Sequence, residues 1–403
     1  MELLHSLRIR SFAFLWTGQT VSRFGDSLYH IALAWWVLEE TGSAAAMGTV
    51  LIFSFAPMLL FVLVGGIAVD RLPRGRVMLA SDSLRGVVVM IVAALAFAQT
   101  LEIWHVYVAS IVFGFVDAFF QPAYTAIVPE IVSSEALPSA NSLTNLSRQI
   151  TGIAGPMLGA SIVALGGTHA AFALDAVSFF VSAACLMPIV GVLGLRTPAA
   201  KSSSALHDLR VGLATVFGST WLWLTIAIFA LANVALDGPI AVSLPFLVKD
   251  ALHADVDVLG LFYSSFSLGA IVGAVWLGRF KRIRRRGLLT YGAGIVSGIA
   301  VLVAGLPISI VGICLAFFVG GAAIAIIGLV WTNTLQELVP GDRLGRVSSI
   351  DMLGSYVLLP IGYGITGWVT DAFGAPMMFV LGGGIGAGLI ALGLLHPAIR
   401  GLD

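Results

Sequence analysis

Long apolar runs separated by short charged loops constrain this fold more than any other feature of the sequence. The runs 44–69 and 77–98 flank a loop that carries Arg71, Arg74 and Arg76. A transmembrane helix needs about 20 mostly apolar residues, and a bilayer core admits only helices or closed barrels. Only 10% of the 403 residues are charged, whereas soluble domains average about 25%. The sequence therefore predicts an all-α polytopic membrane protein.

The apolar runs predict twelve transmembrane helices, which we number as spans 1 to 12. Span 1 is too long, and too charged at Arg23 and Asp26, for a cleaved signal peptide. Two six-helix bundles, 1–192 and 217–403, are predicted on either side of a cytoplasmic linker, 193–216. The predicted spans are 12–38, 44–69, 77–99, 104–128, 141–165, 170–192, 217–247, 257–279, 287–306, 309–338, 347–370 and 375–396.

The distribution of basic residues predicts the orientation in the membrane. With the N-terminus inside, 17 of the 21 Lys and Arg residues fall in cytoplasmic segments, three lie within spans, and Lys249 is external. Short cytoplasmic loops carry an excess of Lys and Arg. Both termini are therefore predicted to be cytoplasmic, which requires an even number of spans.

The two halves of the chain repeat each other. The basic loop that follows Gly66 recurs after Gly278, and Asp26 in span 1 recurs as Asp237 in span 7, at offsets of 212 and 211 residues. Like-oriented repeats of this kind are typical of transporters whose two halves rock about a central site. The sequence therefore predicts two pseudo-symmetric bundles.

The motif inventory argues against an enzyme. The sequence has no phosphate-binding glycine loop with a lysine, no metal-ligand spacing among its histidines and no nucleophile constellation. Cys185 and Cys314 both lie in apolar runs, where packing is a better explanation than a disulfide or a metal. We expect no cofactor, no metal and no nucleic-acid partner. Energy would come from ion gradients, which supply about 2.3 kcal/mol per charge per 100 mV.

Charged residues inside the spans are the candidates for coupling. Intramembrane charges are costly, so they usually face a cavity, form pairs or act in function. Arg23 and Asp26 are three residues apart and share a helix face. Asp26 is the predicted main proton carrier, with Arg23 tuning it. The alternative is a static ion pair that holds span 1 in register.

Four further charged residues lie within the predicted spans. Asp117 and Arg148 lie in neighbouring spans, where they would either pair or contact cargo separately. Asp237 precedes Gly238 and a proline that would kink span 7, so it would bind cargo or a proton, or sit solvated at a helix end. Asp175 is expected to be solvated or interfacial near the end of span 6.

Three motifs resemble those of a known family. The loop 66–76 reads G-x-x-x-D-R-x-P-R-G-R and resembles the loop 2–3 signature of the major facilitator superfamily. The segment 152–159 reads G-x-x-G-P-x-x-G and is similar to the span-5 signature of its exporters. The segment 19–26 reads Q-x-x-S-x-x-G-D and, with Pro129 and Glu130, is similar to the macrolide-efflux and siderophore-export branch of its drug:proton antiporters. The resemblance covers the whole chain.

The resemblance implies roles for the loop and for span 5. The loop residues and their neighbours would latch the outward-facing state, with Asp70 capping a helix of the other half and Glu130 pairing with Arg76. Alternatively, the arginines only set the topology. The span-5 motif would control the conformational swing, beyond simple close packing. The loop set is Gly66, Asp70, Arg71, Arg74, Gly75, Arg76, Asp82, Arg85 and Glu130, and the span-5 set is Gly152, Gly155, Pro156 and Gly159.

One departure from the family concerns span 4. Drug antiporters of this fold often carry an arginine in the middle of that helix, whereas this chain has Asp117 there. Arg148 or Arg23 would then be the basic partner. The resemblance also places a cargo cavity between spans 1, 2, 4, 5, 7, 8, 10 and 11. The cavity residues that we expect from these spans are Phe24, Phe119, Tyr124, Asn233, Tyr263, Trp331, Asn333, Gln336 and Tyr356.

The function predicted from the sequence is export of hydrophobic or amphipathic compounds in exchange for protons, by a monomer in a bacterial inner membrane. Its partners would be a small-molecule substrate, protons and the lipid bilayer. A transporter of a specific metabolite such as a siderophore is the first alternative. A non-transporting receptor or a lipid scramblase is the alternative of another class, and it predicts no dependence on a proton gradient.

Overall fold

A computed structural model describes residues 2–193, 205–280 and 283–403. These residues are helical, with no β-strand in the ranges described. Most of the predicted linker, 194–204, lies outside the described residues, as does the side chain of Asp70. Contacts divide the chain into two compact units, Met1–Ala200 with Asp255–Gly260 and Lys201–Ala254 with Leu261–Asp403. The predicted boundaries of the bundles and the linker remain predictions.

The first unit is built from five helices. A 3-10 helix, Glu2–Arg8, precedes them. The helix α5 is 57 residues long, but its backbone is not helical at Gly167, where φ is 76° and ψ is 170°. A positive φ of this kind favours glycine, and it divides α5 into a first arm (137–166) and a second arm (168–193). The helices are α1 Arg10–Thr41, α2 Ala44–Arg71, α3 Arg74–Phe97, α4 Ile103–Ile131 and α5 Leu137–Leu193.

The second unit starts with α6 and contains a helix interrupted by π turns. The helix that begins as α7 widens at Pro239 into π turns and continues to Ala251. Proline lacks an N–H donor and clashes with the preceding turn, which explains the change of hydrogen-bond pattern. The helices are α6 Ala205–Phe217, α7 Thr220–Gly238, α8 Leu244–Phe246, α9 Val256–Leu277, α10 Arg286–Ala304, α11 Ile310–Leu338, α12 Gly341–Tyr356, α13 Leu359–Phe373, α14 Ala375–Gly393 and α15 Pro397–Arg400.

Ten helices in the described part of the chain are long and apolar enough to cross a membrane. One of the ten runs from Leu137 to Gly191, and the break at Gly167 divides it into the two arms of α5. The helix α1 is not among the ten, and it carries the buried-charge candidates Arg23 and Asp26. The all-α multi-pass architecture is therefore confirmed. The count of twelve spans and the cytoplasmic termini remain predictions.

Glycines allow close helix approach at corresponding places in both units. A Cβ on Gly114 of α4 would overlap the Ser54 carbonyl oxygen of α2. A Cβ on Gly321 of α11 would overlap the Phe266 carbonyl oxygen of α9 in the same way. Small residues at such crossings let helix backbones meet in a bilayer. The pairs α2–α4 and α9–α11 thus repeat one packing arrangement.

Candidate functional site

The first unit holds a polar face of α1 against the second arm of α5. The residues Gln19, Ser22 and Gly25 are buried there, and they recur at helical spacing. A Cβ on Gly25 would overlap Ser178 Oγ and lie 2.5 Å from Asp175 Oδ1. Only glycine leaves room for polar side chains of α5 to reach the α1 backbone at this level.

A buried hydrogen-bonded triad joins three helices of this unit. Gln19 Nε2 donates to Asp82 Oδ2 at 3.2 Å and to Ser182 Oγ at 2.9 Å. Ser182 Oγ donates to the same Asp82 oxygen at 2.7 Å. Asp82 is fully buried, and its Oδ1 has no hydrogen-bond partner in the described structure. The prediction that Asp82 belongs to the loop cluster is therefore wrong, since packing turns it into the bundle instead.

Arg85 is the central cation of the first unit. Its Nη2 lies 2.9 Å from Asp117 Oδ1, and its guanidinium lies 4.3 Å from the Phe120 ring centroid and 5.6 Å from that of Phe179. The guanidinium is buried, and stacking on aromatic faces suits its weak hydration. Arg85 therefore belongs to the buried network and not to the loop. It supplies the basic partner that Asp117 needs.

The predicted partner of Asp117 was wrong. The sequence pointed to Arg148 or Arg23, whereas Asp117 pairs with Arg85. Arg148 is exposed. Arg23 donates from Nη1 to the Thr144 carbonyl oxygen at 3.5 Å, and its guanidinium lies 5.3 Å from the Tyr124 ring centroid. Neither arginine pairs with Asp117 within the described residues.

Asp26 is half-buried beside this network. Its strongest electrostatic neighbours are Arg85, Asp117 and Asp82, with Arg23 weaker. Within residues 2–193, no basic side chain lies within ion-pair distance of its carboxylate. The predicted static Arg23–Asp26 pair is therefore not formed. The arrangement gives Asp26 two acidic neighbours and one shared cation, so its charge is coupled to several helices at once.

Asp175, in the second arm of α5, is fully buried. The prediction that it is solvated or interfacial is wrong, because the helix turns this side chain toward α1. Ser178 Oγ lies 3.2 Å from Asp175 Oδ1 and donates to the Asp175 backbone carbonyl at 2.8 Å. The other carboxyl oxygen, Oδ2, is buried without a hydrogen-bond partner in the described part of the chain.

One ion pair of the predicted loop set is formed among the described side chains. Arg74 Nη1 pairs with Glu130 and also donates to the Ala126 carbonyl oxygen at 3.2 Å. The predicted Arg76–Glu130 pair is wrong, because Glu130 pairs with Arg74 and Arg76 is exposed. Arg74 is the first residue of α3 and so faces the end of α4. The Gly66 and Gly75 backbones lie in α2 and α3, and Gly75 is buried.

The same ion pair recurs in the second unit. Arg286 is the first residue of α10 and pairs with Glu337, one residue before the end of α11. Arg74 and Glu130 hold corresponding places in α3 and α4. Sequence reasoning missed Glu337, because the repeat offset of 211 residues from Glu130 leads to Gly341, four residues beyond it. The recurrence shows that this pair is a property of the repeat unit.

The span-5 motif packs the first arm of α5 on α1. A Cβ on Gly155 would lie 2.5 Å from Ser27 Oγ, and one on Gly159 would lie 3.2 Å from Leu28 Cα. Pro156 is buried and Gly152 is half-buried. The glycines therefore permit a close helix crossing. A role in the conformational swing remains a prediction.

The second unit contains two adjoining cavities of about 180 and 260 Å³. Asn233, Leu236, Ile324 and Tyr356 line both. The walls are mostly apolar, which is typical of sites for organic ligands. The polar or acidic side chains on the lining are Thr225, Asn233, Asp237, Thr290, Ser297, Trp331, Asp351, Ser355 and Tyr356.

Two carboxylates are oriented by hydrogen bonds at these cavities. Tyr363 Oη donates to Asp237 Oδ2 at 2.7 Å, and Trp331 Nε1 donates to Asp351 Oδ2 at 2.9 Å. Asn233 Nδ2 donates to the Ser355 carbonyl oxygen at 3.2 Å. Each carboxylate keeps acceptor capacity for a ligand. Asp351 was missed from the sequence, although an acid inside predicted span 11 was a sufficient signal.

The predicted cavity residues divide into three groups. Asn233, Trp331 and Tyr356 line the two cavities. Tyr263 donates its hydroxyl to the Ile240 carbonyl oxygen at 3.1 Å, and it is not among the lining residues of these two cavities. The same is true of Asn333 and Gln336. The remaining three belong to the first unit and are half-buried there: Phe24, Phe119 and Tyr124.

Comparisons with known proteins agree with this architecture. The family model of the Major Facilitator Superfamily matches residues 15–355 and 228–400. Macrolide efflux protein A of Streptococcus pyogenes is 25% identical over 410 residues, covering 99% of this chain and 98% of that protein. Enterobactin exporter EntS of Citrobacter koseri is 26% identical over 394 residues, covering 97% and 92%.

Solved structures share the fold at low sequence identity. A bacterial homologue of the iron transporter ferroportin, in an inward-facing state, matches with a TM-score of 0.73 at 16% identity. The match covers 95% of this chain and 98% of that chain. At this identity the likeness concerns the fold alone.

Proposed function

The chain belongs to the Major Facilitator Superfamily, and from that premise we propose that it exports hydrophobic or amphipathic compounds across the bacterial inner membrane in exchange for protons. It is a multi-pass bacterial membrane transporter with relatives named for macrolide efflux and enterobactin export. The observation that supports the proposal is that buried acids and cavities lie in different units. Buried acids cluster in the first unit, and apolar cavities with two oriented acids lie in the second.

Asp26 is the proposed main proton carrier. Its carboxylate competes with Asp117 and Asp82 for the influence of a single buried cation, Arg85. Binding a proton at Asp26 removes one negative charge from this group, which frees Arg85 to interact more strongly with Asp117. A proton-dependent change in these pairings biases the relative stability of two conformations, as alternating access requires. Arg23 and Arg148 are proposed to modulate this exchange.

The loop and span-5 motifs are proposed to govern the conformational change. Pairing of Arg74 with Glu130 ties the start of α3 to the end of α4, which makes that end of the bundle a rigid element. The glycines of span 5 permit sliding contact with α1. The protein is proposed to act as a monomer in the bilayer, with bundles 1–192 and 217–403 joined by the linker 193–216.

The cavities of the second unit favour neutral or cationic cargo. Asp237 and Asp351 face them, whereas their lining residues include no Lys or Arg. A buried carboxylate attracts an organic cation and repels an anion. A lipophilic cation should therefore compete for transport more effectively than an anionic siderophore of similar size.

The test is transport by purified protein in proteoliposomes with an imposed pH gradient. Internal pH would be followed while lipophilic cations, macrolides, tetracyclines and catecholate siderophores are added one at a time. The Asp26→Asn variant is compared with Asp257→Asn, which changes an exposed acid at the start of α9. Cargo-dependent proton flux in the wild type and in Asp257→Asn, lost in Asp26→Asn, is the expected result.

Other outcomes would redirect the proposal. Flux that persists in Asp26→Asn removes Asp26 as the main carrier. Cargo movement that ignores the pH gradient removes proton coupling. An absence of flux with every compound in the wild type favours a receptor or a scramblase.

A further inference from the structure

We propose that Asp175 is a second proton-binding carboxyl group, which exchanges a proton with the Asp26 region across the contact at Gly25. This inference rests on the proposed proton coupling, and it adds a residue that the sequence placed at the membrane interface. The second arm of α5 carries Asp175 into the bundle, where its side chain is fully buried.

The environment of Asp175 does not suit a permanently ionised carboxylate. Its Oδ2 is buried without a hydrogen-bond partner within the described residues, and its Oδ1 receives one hydroxyl contact, from Ser178 Oγ at 3.2 Å. No basic side chain in the described ranges forms an ion pair with it. Burying an unpaired charge is strongly unfavourable, so the protonated form of such a carboxyl group is favoured.

Asp175 lies against α1 at the residue that precedes the predicted proton carrier. A Cβ on Gly25 would lie 2.5 Å from Asp175 Oδ1, and Gly25 directly precedes Asp26 in α1. The titratable and charged groups that act on Asp175 are Asp26 and Tyr29 of α1 and Arg85 of α3. Two carboxyl groups that repel each other favour states in which one of them holds a proton.

The proton exchange is balanced in charge. When Asp26 is ionised and Asp175 is protonated, transfer of the proton leaves Asp175 ionised and Asp26 protonated, with one carboxylate and one carboxylic acid before and after. Arg85 interacts with both acids, so it compensates either ionised form. Asp26 and Asp175 together could therefore hold one proton while the access of Asp26 to water changes. Asp175 would then retain the proton at a stage when Asp26 alone would release it to water.

The alternative explanation is that Asp175 is always protonated and serves only to pack against α1. The two explanations differ in one observable. A proton carrier changes its protonation when cargo or pH changes, whereas a packing residue does not. Infrared difference spectroscopy reads the carbonyl stretch of a protonated carboxyl group directly and needs no transport.

The experiment uses the full-length protein in lipid bilayers and compares difference spectra between acidic and alkaline buffer. We expect more than one carbonyl band in the wild type, because Asp26 also binds a proton. One of these bands should be lost in Asp175→Asn and should be shifted along the pH axis in Asp26→Asn. Asp257→Asn, an exposed acid, should leave that band unchanged. A band that is absent from the start, or that never changes with pH or in Asp26→Asn, overturns the proposal.

A second variant protects the test against a failure to fold. Ser178→Ala keeps the acid but removes the hydroxyl beside Asp175 Oδ1, so the frequency of the assigned band should shift. An unshifted band overturns the assignment to Asp175. The spectra also separate this inference from the proposed function. An Asp175 band that responds to pH, without cargo-dependent proton flux, contradicts the proposed function alone. Cargo-dependent proton flux with no responsive band contradicts only the role of Asp175.

Discussion

Asp26 and Asp237 occupy corresponding positions of the two repeats, yet their surroundings differ. The strongest charged neighbours of Asp26 are Arg85, Asp117 and Asp82. Asp237 receives a hydrogen bond from the Tyr363 hydroxyl and lines a mostly apolar cavity. The two positions related by the repeat offset thus differ, because one adjoins a charged network and the other lines a cavity.

The ion pairs at the helix ends are a feature that the two units share. Arg74 with Glu130 and Arg286 with Glu337 tie the corresponding helix pairs in both units. The shared pair maintains the repeat, so the asymmetry of the buried acids is where we expect function to reside. We therefore expect substitutions of the shared pair to have smaller effects than substitutions of the residues that differ.

The largest expected effect separates the two repeat-related acids. Asp26→Asn should abolish transport driven by the pH gradient, because the neutral amide cannot release a proton. Asp237→Asn should retain the gradient dependence but weaken cargo affinity about tenfold, the equivalent of a hydrogen bond to a charged group. Transport at several cargo concentrations in proteoliposomes measures both. If Asp237→Asn abolishes coupling while Asp26→Asn retains it, the assignment of roles is reversed.

The next effect contrasts two arginine pairs of the first unit. Arg85→Gln removes the cation from a buried group of acids, and breaking a buried pair costs about 3–5 kcal/mol. Asp117 is 30% exposed, so the lower end of that range applies. Arg74→Gln removes a pair whose side chains are 26% and 28% exposed, which costs about 0–1 kcal/mol. Thermal unfolding in detergent should show a much lower Tm for Arg85→Gln, and equal losses would contradict a central role for Arg85.

A smaller effect concerns two glycines of the same unit. Gly25→Ala places a Cβ against Ser178 and Asp175, and overpacking of this kind costs about 1–3 kcal/mol. Gly66→Ala is the matched control, because nothing lies within 4 Å of its added Cβ. Tm and yield in the membrane fraction report the difference. A stable Gly25→Ala variant would show that α1 and α5 are not tightly packed at this level.

The smallest effect tests the orientation of Asp237. Tyr363→Phe removes one hydroxyl donor, and a net loss of about 1 kcal/mol is expected. Cargo affinity should fall several-fold while the proton dependence of transport is kept. Tyr107→Phe, in α4 of the first unit, is the control and should leave cargo affinity unchanged. Equal affinity in both variants would mean that the Tyr363 bond does not orient Asp237 for cargo.

Much of the architecture could be predicted because long apolar runs indicate which segments lie in the membrane. The apolar runs placed the helices, and the repeat offset paired Asp26 with Asp237 before any geometry was known. The Gly238-Pro239 sequence predicted a disturbed helix, and the helix does change to π turns there. The motifs at 66–76 and 152–159 identified the family, which the comparison confirms. These features depend on composition and local backbone chemistry, which are readable along a single chain.

The partners of the buried charges could not be predicted in the same way. Three acids found partners or surroundings that the sequence did not indicate: Asp117 pairs with Arg85, Glu130 pairs with Arg74, and Asp175 is buried against α1. For Asp117 and Glu130 the error concerned which side chains meet, and for Asp175 it concerned burial. The missed cavity residue Asp351 was an error of another kind, because its position inside a span was visible.

The sequence by itself therefore determined that this chain crosses the membrane many times, where its helices lie and which family it belongs to. The tertiary structure decided which charges meet, because the rotation of a helix about its axis is set by packing against its neighbours and not by hydropathy. A turn of about 100° per residue moves a carboxylate from lipid to the bundle interior within one or two positions. For Asp175, Asp117 and Arg85, that rotation distinguishes a solvated side chain from a buried network.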